Sequence, residues 1–348
     1  MLHPTISEDI DEILAHPLPW FKFDYKTVLI TGAAGFLPSY MVECLLELRP
    51  KLSINCKVVA LVRNIERART RFAHHLGNPA LHLVQADVSQ PLPELPEPHF
   101  VIHAASQASP KFYGLDPVGT MTANLLGAAQ LLERSLGWNL DSFLFFSSSE
   151  IYGQVDASQI PTRETDSGFT DISRPRSCYA ESKRAVETLG ASYAFQFGTP
   201  FKCVRPFHTY GPGMSLDDGR VFADLVRDIV LGTTLTLHGD GSAVRSFCYI
   251  SDAVFAFFLV LLSGEAGHAY NVGNPNGALS IRQLADLLVG LNSGTEIKVQ
   301  YNQPNTQRTY LPSTVSISLP NIDKIMALGW SPKWNPADGF SRTIKYFK

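Results

Sequence analysis

The sequence predicts an α/β protein: a doubly wound parallel sheet of Rossmann type, with a smaller C-terminal α/β lobe. Three observations predict it. Short β-rich runs alternate with helical patterns over roughly the first two hundred residues, at the spacing of strand–helix–strand units. A glycine turn, TGAAGF, joins the first of these runs to an apolar helical run. After Pro206 the alternation gives way to Gly- and Asp-rich loops (211–219, 238–242) between separate helices.

In chain order, residues 1–25 read as an ordered extension. Its MLHPTISEDIDEIL start is acidic and lacks the positive n-region and apolar core of a signal peptide. Ser7 is placed to cap a short helix, with Glu8 and Asp9 in its first turn. Strands are then expected at 27–31, 57–62, 81–86, 100–103, 142–147 and 201–205, and helices at 38–48, 65–75, 118–136 and 179–197. In such a sheet ligands bind at the carboxyl ends of the strands. Residues 26–204 are therefore expected to form a dinucleotide-binding domain. Residues 205–348, with helices at 221–231, 251–262 and 281–291, are expected to form mainly a second lobe, with segments returning to the first.

Composition limits the function. The 348 residues are 45% hydrophobic and 18% charged, enough to bury a large core. A net charge of −3 without a basic block argues against nucleic acid as a partner. No apolar run reaches membrane-spanning length. Five scattered cysteines without a CxxC read as reduced core thiols of a cytoplasmic protein, and no metal site is expected.

Gly32 and Gly35 permit a tight turn and let backbone N–H groups approach a pyrophosphate at a helix N-terminus. Pro38 stands where a third glycine would allow close helix–strand packing, but proline is tolerated in a first helical turn. Alone, this motif also fits a simple strand–helix turn. At the end of the second strand, the position of the acid that reads an adenosine ribose is Val62, followed by Arg63. Arg63, with Arg67, could pair with the extra phosphate of NADP or simply be solvated, so the choice of NAD or NADP stays open.

The sharpest signal is SSSEIYG (147–153) followed by YAESK (179–183). Tyr179 and Lys183 share a helix face. A nearby ammonium lowers a phenol's pKa from about 10 and would make Tyr179 a base towards a sugar hydroxyl. A hydroxyl-rich strand end about thirty residues earlier and the upstream glycine turn make the pair specific to nicotinamide enzymes.

At these residues the chain resembles the extended short-chain dehydrogenases/reductases, the nucleotide-sugar epimerase/dehydratase/decarboxylase family, over nearly all of 25–348. HAASQASPKFY (103–113), RPFHTYGPGM (205–214), DDGRV (217–221), RSFCYISD (245–252) and YNVGNP (270–275) are most similar to the UDP-glucuronate decarboxylases, or UDP-xylose synthases. The resemblance implies tightly bound NAD(P), NAD⁺ by preference, and transient oxidation of a sugar at C4. Decarboxylation of UDP-glucuronate or a related nucleotide uronate is the leading expectation. A 4-epimerase or 4,6-dehydratase is the alternative, and a catalytically silent sugar-nucleotide-binding protein the third.

By the same resemblance Tyr179 takes the 4-hydroxyl proton, Ser148 bonds that oxygen, and Lys183 holds the nicotinamide ribose. Glu150 acts near C5, or merely caps its turn. Arg245 binds the carboxylate, or only the diphosphate. Cofactor contacts are expected from Gly32, Gly35, Phe36, Leu37, Arg63, Asp87, Val88, Ala104, Ala105, Ser106, Asn124, Tyr179, Lys183, Pro206 and His208. Substrate contacts are expected from Ser109, Tyr113, Ser149, His208, Arg220 and Arg245. His103 is structural or lies beside the cofactor. Gly213 replaces the arginine of a GPR motif, His208 an asparagine, and Ser149 the aspartate of the dehydratases. A homodimer is expected through the helices at 118–136 and 179–197.

Overall fold

The computed structural model describes residues 2–292, 297–302, 311, 313 and 315–348. Six apolar runs form the parallel strands β1 (Lys26–Thr31), β2 (Cys56–Val62), β3 (Leu81–Gln85), β4 (Phe100–His103), β5 (Ser142–Phe146) and β6 (Phe201–Pro206). Beyond them come β7 (His208–Tyr210), β8 (Leu235–His238), β9 (Val244–Tyr249), β10 (Ala269–Val272), β11 (Ala278–Ser280), β12 (Val299–Asn302) and β13 (Ile317–Ser318). The main sheet runs β10-β6-β5-β4-β1-β2-β3, parallel throughout. Its order reverses between β1 and β4, which puts a ligand crevice at their carboxyl ends.

The helices are α1 (Pro4–Ala15), α2 (Phe36–Leu52), α3 (Ile65–Arg71), α4 (Pro110–Leu115), α5 (Pro117–Ser135), α6 (Cys178–Phe197), α7 (Val221–Leu231), α8 (Ile250–Ser263), α9 (Ile281–Leu291), α10 (Asp323–Met326) and α11 (Pro336–Phe347). Alternation along β1 assigns the layers. Val28 and Ile30 pack with Met41, Leu45 and Val254 of α2 and α8, whereas Leu29 packs with Leu131 and Val186 of α5 and α6. A sheet covered on both faces reads as continuous apolar runs. After Pro206 the chain builds a second sheet from β11, β9, β13 and β7 and a β8–β12 pair, but α8 and β10 return to the main body.

Several boundaries differ from the sequence expectation. The first helix begins at Pro4, not after Ser7: His3 Nδ1 accepts from Thr5 N (3.2 Å), and proline's fixed φ suits the first helical position. Helix α2 starts at Phe36, two residues before Pro38, and runs through Pro50 to Leu52. The helix expected at 65–75 stops at Arg71 and continues as the 3₁₀ turn Ala73–His75. The N-terminal extension is docked by Asp9, which is fully buried and accepts from Tyr40, Tyr249 and Arg342. All five cysteines are free and buried.

Candidate active site

The glycine turn leaves β1 at the switch point. Gly32 has φ +66°, and a Cβ there would lie 2.7 Å from Ala105 Cα, so the two strand-end turns touch only because residue 32 has no side chain. Gly35 caps α2, its N–H bonded to Gly32 O (2.8 Å). Ser39 N–H already reaches Gly35 O and Pro38 has no N–H, which leaves Phe36 and Leu37 to offer the helix's free N-terminal donors. The buried Pro38 ring packs against Gly35, as its Cγ would lie 3.3 Å from a Cβ on that glycine. Proline thus fills the place of a third glycine by packing beside the turn, at the loss of one donor.

A cleft of about 200 Å³ opens from this turn, lined by Gly35, Arg63, Asp87, Val88, Ser106 and Arg67 among others. Ser106 Oγ is buried without a partner among the described residues, and Ala105 N–H donates to Thr31 Oγ1. Burial pushes the Asp87 carboxyl up, but bonds from the Ser89 N–H and hydroxyl, with the Arg63 charge, hold it below the usual range. A crevice with two outward N–H groups, an unpartnered buried hydroxyl and an ionised carboxylate fits a dinucleotide. His103 is buried, its Nδ1 2.7 Å from Thr31 Oγ1, and burial with the Lys183 charge lowers its pKa to about 3. It is a neutral structural group. Asn124 is buried inside α5, its amide donating to Ser182 Oγ.

The catalytic candidates gather at the ends of β5 and β6. Ser148 follows β5 and leads into the 3₁₀ turn Ser149–Tyr152, which carries Glu150. Tyr152 is clamped to Asn271 Oδ1 (2.5 Å) and to Arg205 Nη1 (2.8 Å), which ties that turn to β6 and β10. Tyr179 stands in the first turn of α6, and Ser148, whose Oγ accepts from the Glu150 N–H (3.2 Å), leads into the turn beside it. Burial pushes the Tyr179 phenol up to about 12; the Arg220 charge and the Ser148 hydroxyl oppose this. Lys183 is 1% exposed, and burial lowers its pKa to about 7.

Lys183 faces the Tyr179 ring while its bond goes to the main chain. The ammonium donates to the Phe146 carbonyl (2.7 Å) and lies 5.6 Å from the Tyr179 ring centroid. The backbone acceptor at the end of β5 captures it. The Arg220 charge also acts on Tyr179 and lowers its phenol pKa.

Tyr113 lies under Tyr179, rings stacked at 5.0 Å, with its hydroxyl committed to Ala108 O (3.0 Å). It presents a ring, not a hydroxyl. Ser109 donates to Asp218 O, and Arg220 binds Asp218 and Ala108 O, joining the 103–113 loop to the second lobe. His208 is half-buried, and desolvation together with the Arg245 and Arg220 charges lowers its pKa well below the usual imidazole value. Arg245 is held by the carbonyls of Val244, Val315 and Ser316. Gly213 (φ +81°) lies elsewhere: a Cβ there would meet Arg71 Nη2 at 3.2 Å and Ile6 at 3.9 Å.

Sequence reasoning missed Arg176. It grips Glu150 with both terminal nitrogens (2.9 and 3.2 Å) and lies 5.5 Å over the Tyr113 ring. Its position three residues before Tyr179 was a signal, but pairing with a carboxylate twenty-six residues earlier is a tertiary fact.

A dinucleotide crevice at the switch point and a buried tyrosine–lysine helix beside it define an α/β dinucleotide-dependent enzyme. The model of the "NAD dependent epimerase/dehydratase family" matches residues 28–273. UDP-glucuronic acid decarboxylase 3 of Arabidopsis thaliana is 34% identical over 316 residues, covering 90% of this chain and 86% of the relative. UDP-glucuronic acid decarboxylase 1 of Xenopus tropicalis is 33% identical, covering 98% and 77%. Among solved structures, UDP-glucose 4-epimerase of Thermus thermophilus in complex with NAD has a TM-score of 0.72 at 27% identity, covering 92% of this chain and 98% of that one. The chain belongs to the NAD dependent epimerase/dehydratase family.

Proposed function

We propose that this chain is an NAD(P)-dependent nucleotide-sugar enzyme that decarboxylates UDP-glucuronate or a related nucleoside-diphosphate uronate. The observation that carries the reading is the bidentate Glu150–Arg176 pair (2.9 and 3.2 Å), with Arg176 5.5 Å over the Tyr113 ring that stacks on Tyr179. The names of the relatives support it.

Gly32, Gly35, the Phe36 and Leu37 N–H groups, Asp87, Val88, Ala104, Ala105, Ser106 and Pro206 would hold the dinucleotide. When bound, it supplies a hydride acceptor that later returns the hydride. Tyr179 Oη takes the proton of the sugar 4-hydroxyl, and Ser148 Oγ orients that oxygen. Arg220 stabilises the phenolate. Once C4 is a ketone, a C5 carboxylate is a β-keto acid. It leaves as carbon dioxide, and its bonding electrons pass to the C4 oxygen. Glu150, held in orientation by Arg176, serves C5 as acid/base. Arg220 and Arg245 bind the anionic diphosphate or carboxylate.

The test is mass spectrometry of the protein incubated with UDP-glucuronate and NAD⁺ or NADP⁺, with Tyr179→Phe as control. Loss of carbon dioxide by the wild type alone supports the reading; an isobaric product supports a 4-epimerase; no turnover sinks glucuronate as substrate. A 4-epimerase, which needs the C4 ketone but no carboxylate chemistry, is the second reading. A 4,6-dehydratase is disfavoured by Ser149, which offers no carboxylic acid.

We further propose a cytoplasmic homodimer that pairs through α5 and α6. Exposed Val118, Leu126 and Phe195 on these helices support the pairing, and five free buried thiols support a reducing compartment. Among the described residues no helix is long and apolar enough to cross a membrane.

A further inference from the structure

Away from the catalytic cluster, three metal-ligating side chains converge between α2 and the turn after α3. His74 Nε2 and His75 Nε2 both aim at one oxygen, Glu43 Oε2, at 3.0 and 2.7 Å. The three ligand atoms lie within 4.8 Å of one another. The side chains are 5% exposed for Glu43, 16% for His74 and 10% for His75. Glu43 and His74 also line a cleft of about 600 Å³, together with His3, Tyr40 and Arg71. The cluster is therefore desolvated on one side and reachable on the other.

We propose that Glu43, His74 and His75 form a three-ligand site for a divalent transition metal of the zinc class, with its remaining position open to this cleft. Bonds of about 2.0–2.1 Å at tetrahedral angles put ligand atoms about 3.3 Å apart. The observed 2.7 and 3.0 Å separations need to open by about 0.6 and 0.3 Å. Without metal each Nε2 faces Glu43 Oε2 at hydrogen-bond distance; to ligate, each imidazole must present an Nε2 lone pair, with its proton on Nδ1. Two imidazoles with one carboxylate suit zinc, cobalt, nickel or iron(II), and not the all-oxygen preference of magnesium and calcium. The metal clips α2 to the segment whose Asn64 and Arg67 line the dinucleotide cleft. This site is independent of the activity proposed above.

The test uses the full chain, stripped with chelator, reloaded with Zn²⁺ and desalted. One zinc per chain is expected, with a raised melting temperature. Co²⁺ in its place is expected to show ligand-field bands of a nitrogen–oxygen site and no thiolate charge-transfer band. Glu43→Gln keeps an acceptor for both rings and His74→Asn sits at the most exposed ligand. Each is expected to keep the metal-free melting temperature and to lower zinc affinity at least about tenfold, while His82→Asn at an exposed position changes nothing. No retained zinc, wild-type affinity in both variants, or a thiolate band would overturn the assignment.

Discussion

Lys183→Met is expected to stabilise the dinucleotide-free fold at neutral pH while abolishing turnover. The Lys183 pKa is lowered from 10.5 to about 7, chiefly by burial, so the folded state disfavours its charge. The sign follows from linkage: a lysine lowered on folding costs stability fully below pH 7, and the cost fades as pH rises towards 10.5. At about 1.4 kcal/mol per pKa unit, the cost is roughly 4 kcal/mol at pH 7.5 and roughly 1.5 kcal/mol at pH 9.5, each good to about one such unit. Methionine removes the charge and keeps the length. It also gives up the 2.7 Å bond to the Phe146 carbonyl, worth about 1–2 kcal/mol. The net expectation is a gain of about 2–3 kcal/mol at pH 7.5 that shrinks to near zero at pH 9.5. Urea denaturation of both proteins at the two pH values measures it. A variant less stable than wild type at pH 7.5, or a difference that does not change with pH, would refute the account of Lys183 as a desolvated charge.

Tyr179→Phe should lower turnover by at least about a thousandfold while dinucleotide binding, read by fluorescence quenching, stays within a few-fold. Gly32→Ala places a Cβ 2.7 Å from the Ala105 backbone at a positive φ; about 2–4 kcal/mol of stability and dinucleotide binding should both be lost, as calorimetry would show. Arg176→Lys cannot reproduce the two-pronged grip on Glu150. It should cut kcat by roughly a hundredfold with little change in KM, and equal kcat would remove Glu150 orientation from the mechanism.

The sheet, the glycine turn and the Tyr179–Lys183 face were legible because each is written in local periodicity. Period two puts Val28 and Ile30 on one face and Leu29 on the other; period four puts Tyr179 and Lys183 together. The partners of the candidate catalytic groups were not legible, since they depend on which loops the fold brings together. Arg176 reaches Glu150, Arg220 charges the surroundings of Tyr179, and Lys183 turns to a carbonyl at the end of β5. Burial is equally non-local: it raises Tyr179 and lowers Lys183 and His208, against the values their residue types would suggest. Gly213 reads as a lost active-site cation along the chain but lies against Arg71 and Ile6 in space. The sequence by itself determined the layers, the crevice and the chemical types at its edge. Only the tertiary structure decided which charges meet, because electrostatic partnership follows distance and desolvation, and neither is encoded in spacing along the chain.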